Sequence, residues 1–316
     1  MKIIDAHTHF SNINAFHDAA ADSGVDFSIN GLIGEQAENK IVASVCMGLV
    51  ETTPGAFPDK NAPAFMWAYS PIKKGNGACL GEHSSPLQNS PTIIDVQGLH
   101  EDCPPSMYVC LGVNPHTLND DYVAVLDKFL KKNTAWIVGF KIYAGYYHFN
   151  INDPVYTPVY KLAAEHGLTV AIHTGDTYSE VGLLEYSHPL AADRLAVNFR
   201  GVNFMLCHMG DPWIMDACEV AYKNRNIYLD ISGLQAGDAA LIAATEARPI
   251  VMHHYTQGLQ YLNAYEKVLF GTDWPLVPLG AYIEFCKKLV PSEAYEDVFY
   301  NNALKLFKLV DIPTII

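Results

Sequence analysis

The chain has 316 residues, half of them hydrophobic and 17% charged, which is enough apolar material for a large core and the balance of a folded rather than a disordered protein. Its formal net charge is −14 and its only arginines are Arg194, Arg200, Arg225 and Arg248, so no basic stripe exists to neutralise a phosphate backbone and nucleic acid is not an expected partner. The acid at Asp5 interrupts any apolar leader, and the longest apolar stretch, 41–50, cannot span a bilayer; a cytoplasmic protein with no membrane partner is expected.

Short apolar runs rich in Val, Ile, Leu and Phe predict eight strands, at 2–9, 41–48, 107–113, 137–143, 168–173, 202–208, 227–231 and 268–273. Residues 51–105, after the second strand, break the rhythm with prolines and glycines such as Thr53-Pro54-Gly55 and Gly75-Asn76-Gly77, and are expected to form a long inserted loop acting as a lid. Tyr122, Leu126, Phe129 and Leu130 follow helical spacing, with Lys131 and Lys132 near the negative helix end. Val155, Val159, Leu162 and Ala163 repeat the pattern, and Gly167 is placed to take the left-handed position after that helix. A last helix is expected to carry Tyr295, Val298, Phe299, Ala303 and Leu306. Strands alternating with helices predict an α/β fold, and eight of them favour one (β/α)8 TIM barrel over 1–316; no Gly-x-Gly-x-x-Gly follows the first strand to support an open dinucleotide-binding sheet.

Seven scattered cysteines (46, 79, 103, 110, 207, 218 and 286), with no Cys-x-x-Cys, read as reduced residues, those at 46, 110 and 207 as core. The residues that can carry chemistry stand at strand ends. His7 and His9 are two apart on the first strand and share a face, so two imidazoles can reach one metal ion. His173 closes Val170-Ala171-Ile172, His208 closes Phe204-Met205-Leu206-Cys207, and Asp273 follows Phe270-Gly271-Thr272. Barrel active sites are built from such ends, and nitrogen with oxygen donors suits a divalent cation. Lys141 falls on one face of the fourth strand with Gly139; it can bind a substrate carboxylate or, deprotonated by burial, form a metal-bridging carbamate. Asp5 is either a carboxylate behind the metal ligands or a strand-start residue at the barrel's lower rim, and Asp230 on the seventh strand has the same ambiguity. Tyr143, Tyr146, Tyr147, His148 and Trp274 are candidate pocket walls, His116 could reach the barrel mouth, and His166 reads as a helix-end residue.

These residues resemble the amidohydrolase superfamily, whose pattern is His-x-His on strand one, histidines on strands five and six, and an aspartate on strand eight. The likeness runs from Asp5 to the closing Asn301-Asn302-Ala303-Leu304-Lys305-Leu306-Phe307. His7-Thr8-His9 and Phe270-Gly271-Thr272-Asp273-Trp274-Pro275 are most similar to the amidohydrolase-related branch that includes hydrolases, lactonases and aminocarboxymuconate-semialdehyde decarboxylase. That branch implies one metal on His7, His9, His173 and Asp273, with His208 free to activate water or polarise the substrate. Phe140-Lys141-Ile142-Tyr143-Ala144 is instead similar to the carbamylated-lysine segment of dihydroorotase, implying two metals bridged by Lys141, with His173 and His208 on the second. TatD-like nucleases carry a glutamate where Lys141 stands. The resemblance implies a zinc-type cofactor of one or two ions and a small-molecule substrate. The expected reaction is hydrolysis of an amide, lactone or ester through a metal-activated water, with Asp273 as proton carrier; the alternative is nonoxidative decarboxylation or hydration of a small carboxylic acid. A homo-oligomer is the default assembly.

Overall fold

A computed structural model describes residues 1–10, 14–49, 106–116, 118–132, 135–309 and 312. The expected lid at 51–105, with Cys79, His83, His100 and Cys103, lies outside the described residues. Every residue of β1 (Ile3–Thr8), β2 (Ile41–Met47), β4 (Ile137–Ile142) and β5 (Thr169–Ile172) is buried, as parallel strands covered on both faces must be. With β3 (Met107–Val113), β6 (Asn203–Leu206), β7 (Ile227–Asp230) and β8 (Val268–Leu269) they form one eight-stranded parallel sheet in sequence order.

The eighth strand is only two residues long, against the six expected, because the chain leaves β7 to follow β1. Ala6 N–H donates to Phe270 O (2.9 Å), Asp273 N–H to His7 O (2.8 Å) and His9 N–H to Trp274 O (2.7 Å). These bonds bring the last strand back to the first, so the fold is a TIM barrel. One cluster of buried side chains draws Ile4, Val45, Cys110, Ala171, Met205 and Leu269 from six strands together with Leu306 and Phe307, an arrangement possible only inside the barrel. A larger cluster, with Phe140, Ile172, Leu206 and Phe270, packs the sheet against its helices.

Two helices that the sequence pattern did not predict, α1 (Asn14–Ser23) and α2 (Ile29–Asn39), lie between β1 and β2. Helix α3 (Asp120–Leu130) starts where the Asn119 side chain accepts from Tyr122 N–H at 2.9 Å. Helix α4 (Thr157–His166) ends at Gly167, whose φ of 65° suits a residue without a Cβ; Val155 falls in the tight turn before it, and His166 bonds Asp127 at 2.9 Å. Then follow α5 (Leu184–Ser187), α6 (Ala191–Asn198), α7 (Ile214–Lys223), α8 (Ala239–Glu246), α9 (Pro249–Leu262) and α10 (Leu279–Leu289). The expected last helix is divided into a π-helical turn, Asp297–Asn301, and α11 (Asn302–Leu306). The Asn302 amide donates to Tyr265 O and Val268 O, tying this segment to the entry of β8. Among the described residues no helix is long and apolar enough to cross a membrane.

Candidate metal centre

The chemistry-bearing side chains gather where β1, β5, β6 and β8 end. His7 lies within β1, His9 and His173 just beyond β1 and β5, and His208 and Asp273 on turns. The last two have left-handed backbones, φ 61° and 66°, uncommon for residues with a Cβ and kept where the surroundings over-determine them. Asp273 is held by its own backbone N–H on His7 O; Asp5 fastens the same loop, accepting from Thr272 N–H (3.0 Å), Thr272 Oγ1–H (2.6 Å) and His7 N–H (3.1 Å). Asp5 therefore joins two backbones and is not at a rim. Burial pushes its carboxyl up to about 7 against the bonds from Thr272 and His7.

Asp273 Oδ1 is 3.2 Å from His7 Nε2 and 2.9 Å from His9 Nε2. Neither approach is aligned as a hydrogen bond: Asp273 Oδ1 and His7 Nε2 are both buried without a hydrogen-bond partner. His7, His208 and Asp273 each offer a donor atom within 4.8 Å of the other two. Buried polar atoms left without partners are costly unless a cation sits among them, and imidazole with carboxylate donors fits a divalent ion. Burial lowers the pKa of His7, His9 and His208, and of His173 furthest, with the Lys141 ammonium pushing the same way, a direction that favours the neutral ring a cation needs. Burial would raise Asp273, yet the pull of His7, His208 and His9 prevails and holds it well below the usual carboxylate range. Asp230, at the end of β7, is likewise depressed against burial by His7 and His208.

His173 stands beside His208, ring centroids 4.9 Å apart, but its Nε2 faces the Asp176 carbonyl at 2.8 Å. Both rings open onto a cavity that they share with His9, Lys141 and Asp273. Among the described residues its apolar wall is Phe16, Ala15 and Ala19 of α1 with Leu276, and Tyr143, Tyr146 and Tyr178 also line it. Tyr143 Oη donates to the backbone at Met47 and Gly48, Tyr146 Oη accepts from Tyr178 N–H, and Phe16 stacks on His9 at 4.7 Å. Lys141 is fully buried; its Nζ meets Cys207 Sγ at 3.1 Å and the Tyr143 ring, and among the described residues no carboxylate pairs with it.

Trp274 and His116, expected at the pocket, do not line it. The left-handed turn at Asp273 sends the next side chain the other way, so the Trp274 ring is buried against Phe10 and Phe27. His116 is exposed, packed edge-on to Phe149. Tyr147 lies under His116, and His148 bonds Val181 O, both away from the cavity. The sequence reading missed Phe16, Tyr178 and Leu276, and also Ser232 and Gly233, which the run Asp230-Ile231-Ser232-Gly233 at a strand end could have flagged. Gly233 has φ 61°, and a Cβ there would stand 2.6 Å from His208 Nδ1 and 2.8 Å from Asp273 Oδ2. Gly233→Ala is expected to cost about 1–3 kcal/mol through backbone strain and overpacking, and to displace both side chains. Denaturant unfolding with zinc titration checks this; a variant matching wild type in both would remove the close approach as a constraint.

The model of the amidohydrolase family matches residues 116–309, more than half of the chain. No curated protein matches the sequence. Among solved structures the chain is similar to an uncharacterized TIM-barrel protein from Bordetella bronchiseptica, at 17% identity and a TM-score of 0.66 over 98% of this chain and 99% of that one. It is also similar to an amidohydrolase from Burkholderia multivorans with bound zinc (12% identity, TM-score 0.60, covering 98% and 100%). A third is 5-carboxyvanillate decarboxylase from Sphingomonas paucimobilis (13%, TM-score 0.57, 98% and 99%). At these identities the likeness is one of fold.

Proposed function

The chain belongs to the amidohydrolase family, and from that premise we propose that it is a zinc-dependent hydrolase that opens an amide, lactone or ester bond in a small carboxylate-bearing molecule. The observation that carries this reading is the pair of buried, unpartnered atoms, His7 Nε2 and Asp273 Oδ1, beside His9 Nε2. His7, His9 and Asp273 hold the cation, and the His173–His208 pair supplies the remaining donor and faces the substrate. When bound, the cation polarises a carbonyl and makes water more acidic. Asp273, kept ionised, takes the proton of the attacking water and returns it to the leaving group. Lys141 receives the substrate carboxylate, while Phe16, Tyr143 and Tyr146 hold the apolar body and keep bulk water out. With His173 Nε2 turned to a backbone carbonyl, the donor set suits one ion better than two.

A second reading, nonoxidative decarboxylation of a small carboxylic acid, is favoured by the same buried lysine among aromatic walls. The test uses protein stripped with a chelator and reloaded with zinc, presented with lactones, esters, amides and aromatic acids. Metal-dependent formation of a new carboxyl group without carbon dioxide is the expected result. Carbon dioxide release would move the assignment to the second reading. Wild-type protein that binds no divalent cation would end both.

A further inference from the structure

Behind the ligand atoms lies a second polar layer, completely buried, made by Asp230 and Ser232. Asp230 Oδ2 is 2.9 Å from His7 Nδ1. Its Oδ1 accepts from His208 N–H (2.9 Å), Ser232 N–H (3.1 Å) and Ser232 Oγ–H (2.5 Å). Ser232 Oγ in turn lies 3.0 Å from both His7 Nδ1 and His208 Nδ1, and the Ser232 carbonyl is 3.1 Å from His208 Nδ1. We infer that Asp230, acting with Ser232, is the positioning residue that fixes the tautomer and aim of two histidines from different strands and thereby sets how tightly the cation is held.

Proton accounting leads there. A carboxylate has no hydrogen to give, so His7 Nδ1 must donate to it. The Ser232 hydroxyl has committed its one hydrogen to Asp230, so toward the two rings its oxygen can only accept. A backbone carbonyl also only accepts, so His208 Nδ1 carries a hydrogen as well. Both imidazoles are left with a bare lone pair on Nε2, the atom of His7 that faces Asp273. The same carboxylate grips the backbone N–H of His208, where φ is 61°, and so stabilises the turn that aims the second ring. Carboxylates that orient ligating histidines in this manner typically contribute 10–100-fold to metal affinity.

The inference rests on the metal-binding reading of the site, and its test separates the two. Asp230→Asn keeps size but places an N–H where an acceptor stood; toward His7 Nδ1 it moves the ring proton to Nε2 and blocks the lone pair. Chelator-competition titration with zinc is expected to show affinity lower by about 10–100-fold in Asp230→Asn, and by less in Ser232→Ala, which keeps the Asp230–His7 bond. The cobalt-loaded variant should show an altered visible spectrum, while the metal-free variant melts within a few degrees of wild type. Unchanged affinity and spectrum in a folded Asp230→Asn would overturn the inference. Nitrogen-15 histidine NMR of the unmutated, metal-free protein tests it without any variant: Nδ1–H tautomers are expected for His7 and His208, and an Nε2–H form of either would overturn it, whether or not zinc binds.

Discussion

Asp273→Asn is expected to lower kcat by about a thousandfold or more, within the range lost when a general acid–base group is removed, while the barrel remains folded. The amide has the carboxylate's shape, and asparagine is among the residues that best tolerate a left-handed backbone, here φ 66°. The turn itself is held by backbone N–H groups on His7 O and by Asp5 on Thr272, none of which involve the Asp273 side chain. What disappears is the charge that counterbalances a cation and the only carboxylate lining the cavity among the described residues. Steady-state kinetics on zinc-saturated variant, with a melting curve alongside, makes the measurement. Turnover within tenfold of wild type would exclude Asp273 as the proton carrier.

The strands were legible because parallel strands buried on both faces read as near-continuous apolar runs, and seven of the eight fall within about two residues of their expected limits. The eighth was overestimated, since nothing local tells that residues after Leu269 bond to β1 rather than β7. His7, His9, His208 and Asp273 could be found as donors following apolar runs, a pattern that survives even though two of them occupy left-handed turns. Direction on those turns could not be read: adjacency made Trp274 look like a pocket wall, and a single positive φ at Asp273 turns its indole into the helix layer. Helix α1 was invisible for another reason. Its alanines and lone Phe16 give weak periodicity, and their role comes from standing over His9, a contact set by tertiary packing. Asp230 could be seen as a polar residue ending a strand, but only the cross-barrel distances tell that it, rather than Asp5, lies against the His7 ring.

Lys141→Met should act in opposite directions on stability and function. The lysine is wholly buried, and its neighbours, a thiol and an aromatic face, compensate an ammonium weakly. Methionine fills nearly the same volume without the desolvation cost, so the variant is expected to melt at the wild-type temperature or above, by up to about 1–2 kcal/mol. Substrate carboxylates lose a charged hydrogen-bond donor, which typically contributes about 1.5–3 kcal/mol; KM for such substrates should therefore rise about 10–100-fold, with kcat changed much less. Esters or lactones lacking the acid should be handled about as well as by wild type. That contrast identifies a group retained for its ligand at the expense of the fold. A variant that melts several degrees lower with KM intact would instead make Lys141 a structural residue of the barrel, and would leave the preference for carboxylate-bearing substrates without a physical source.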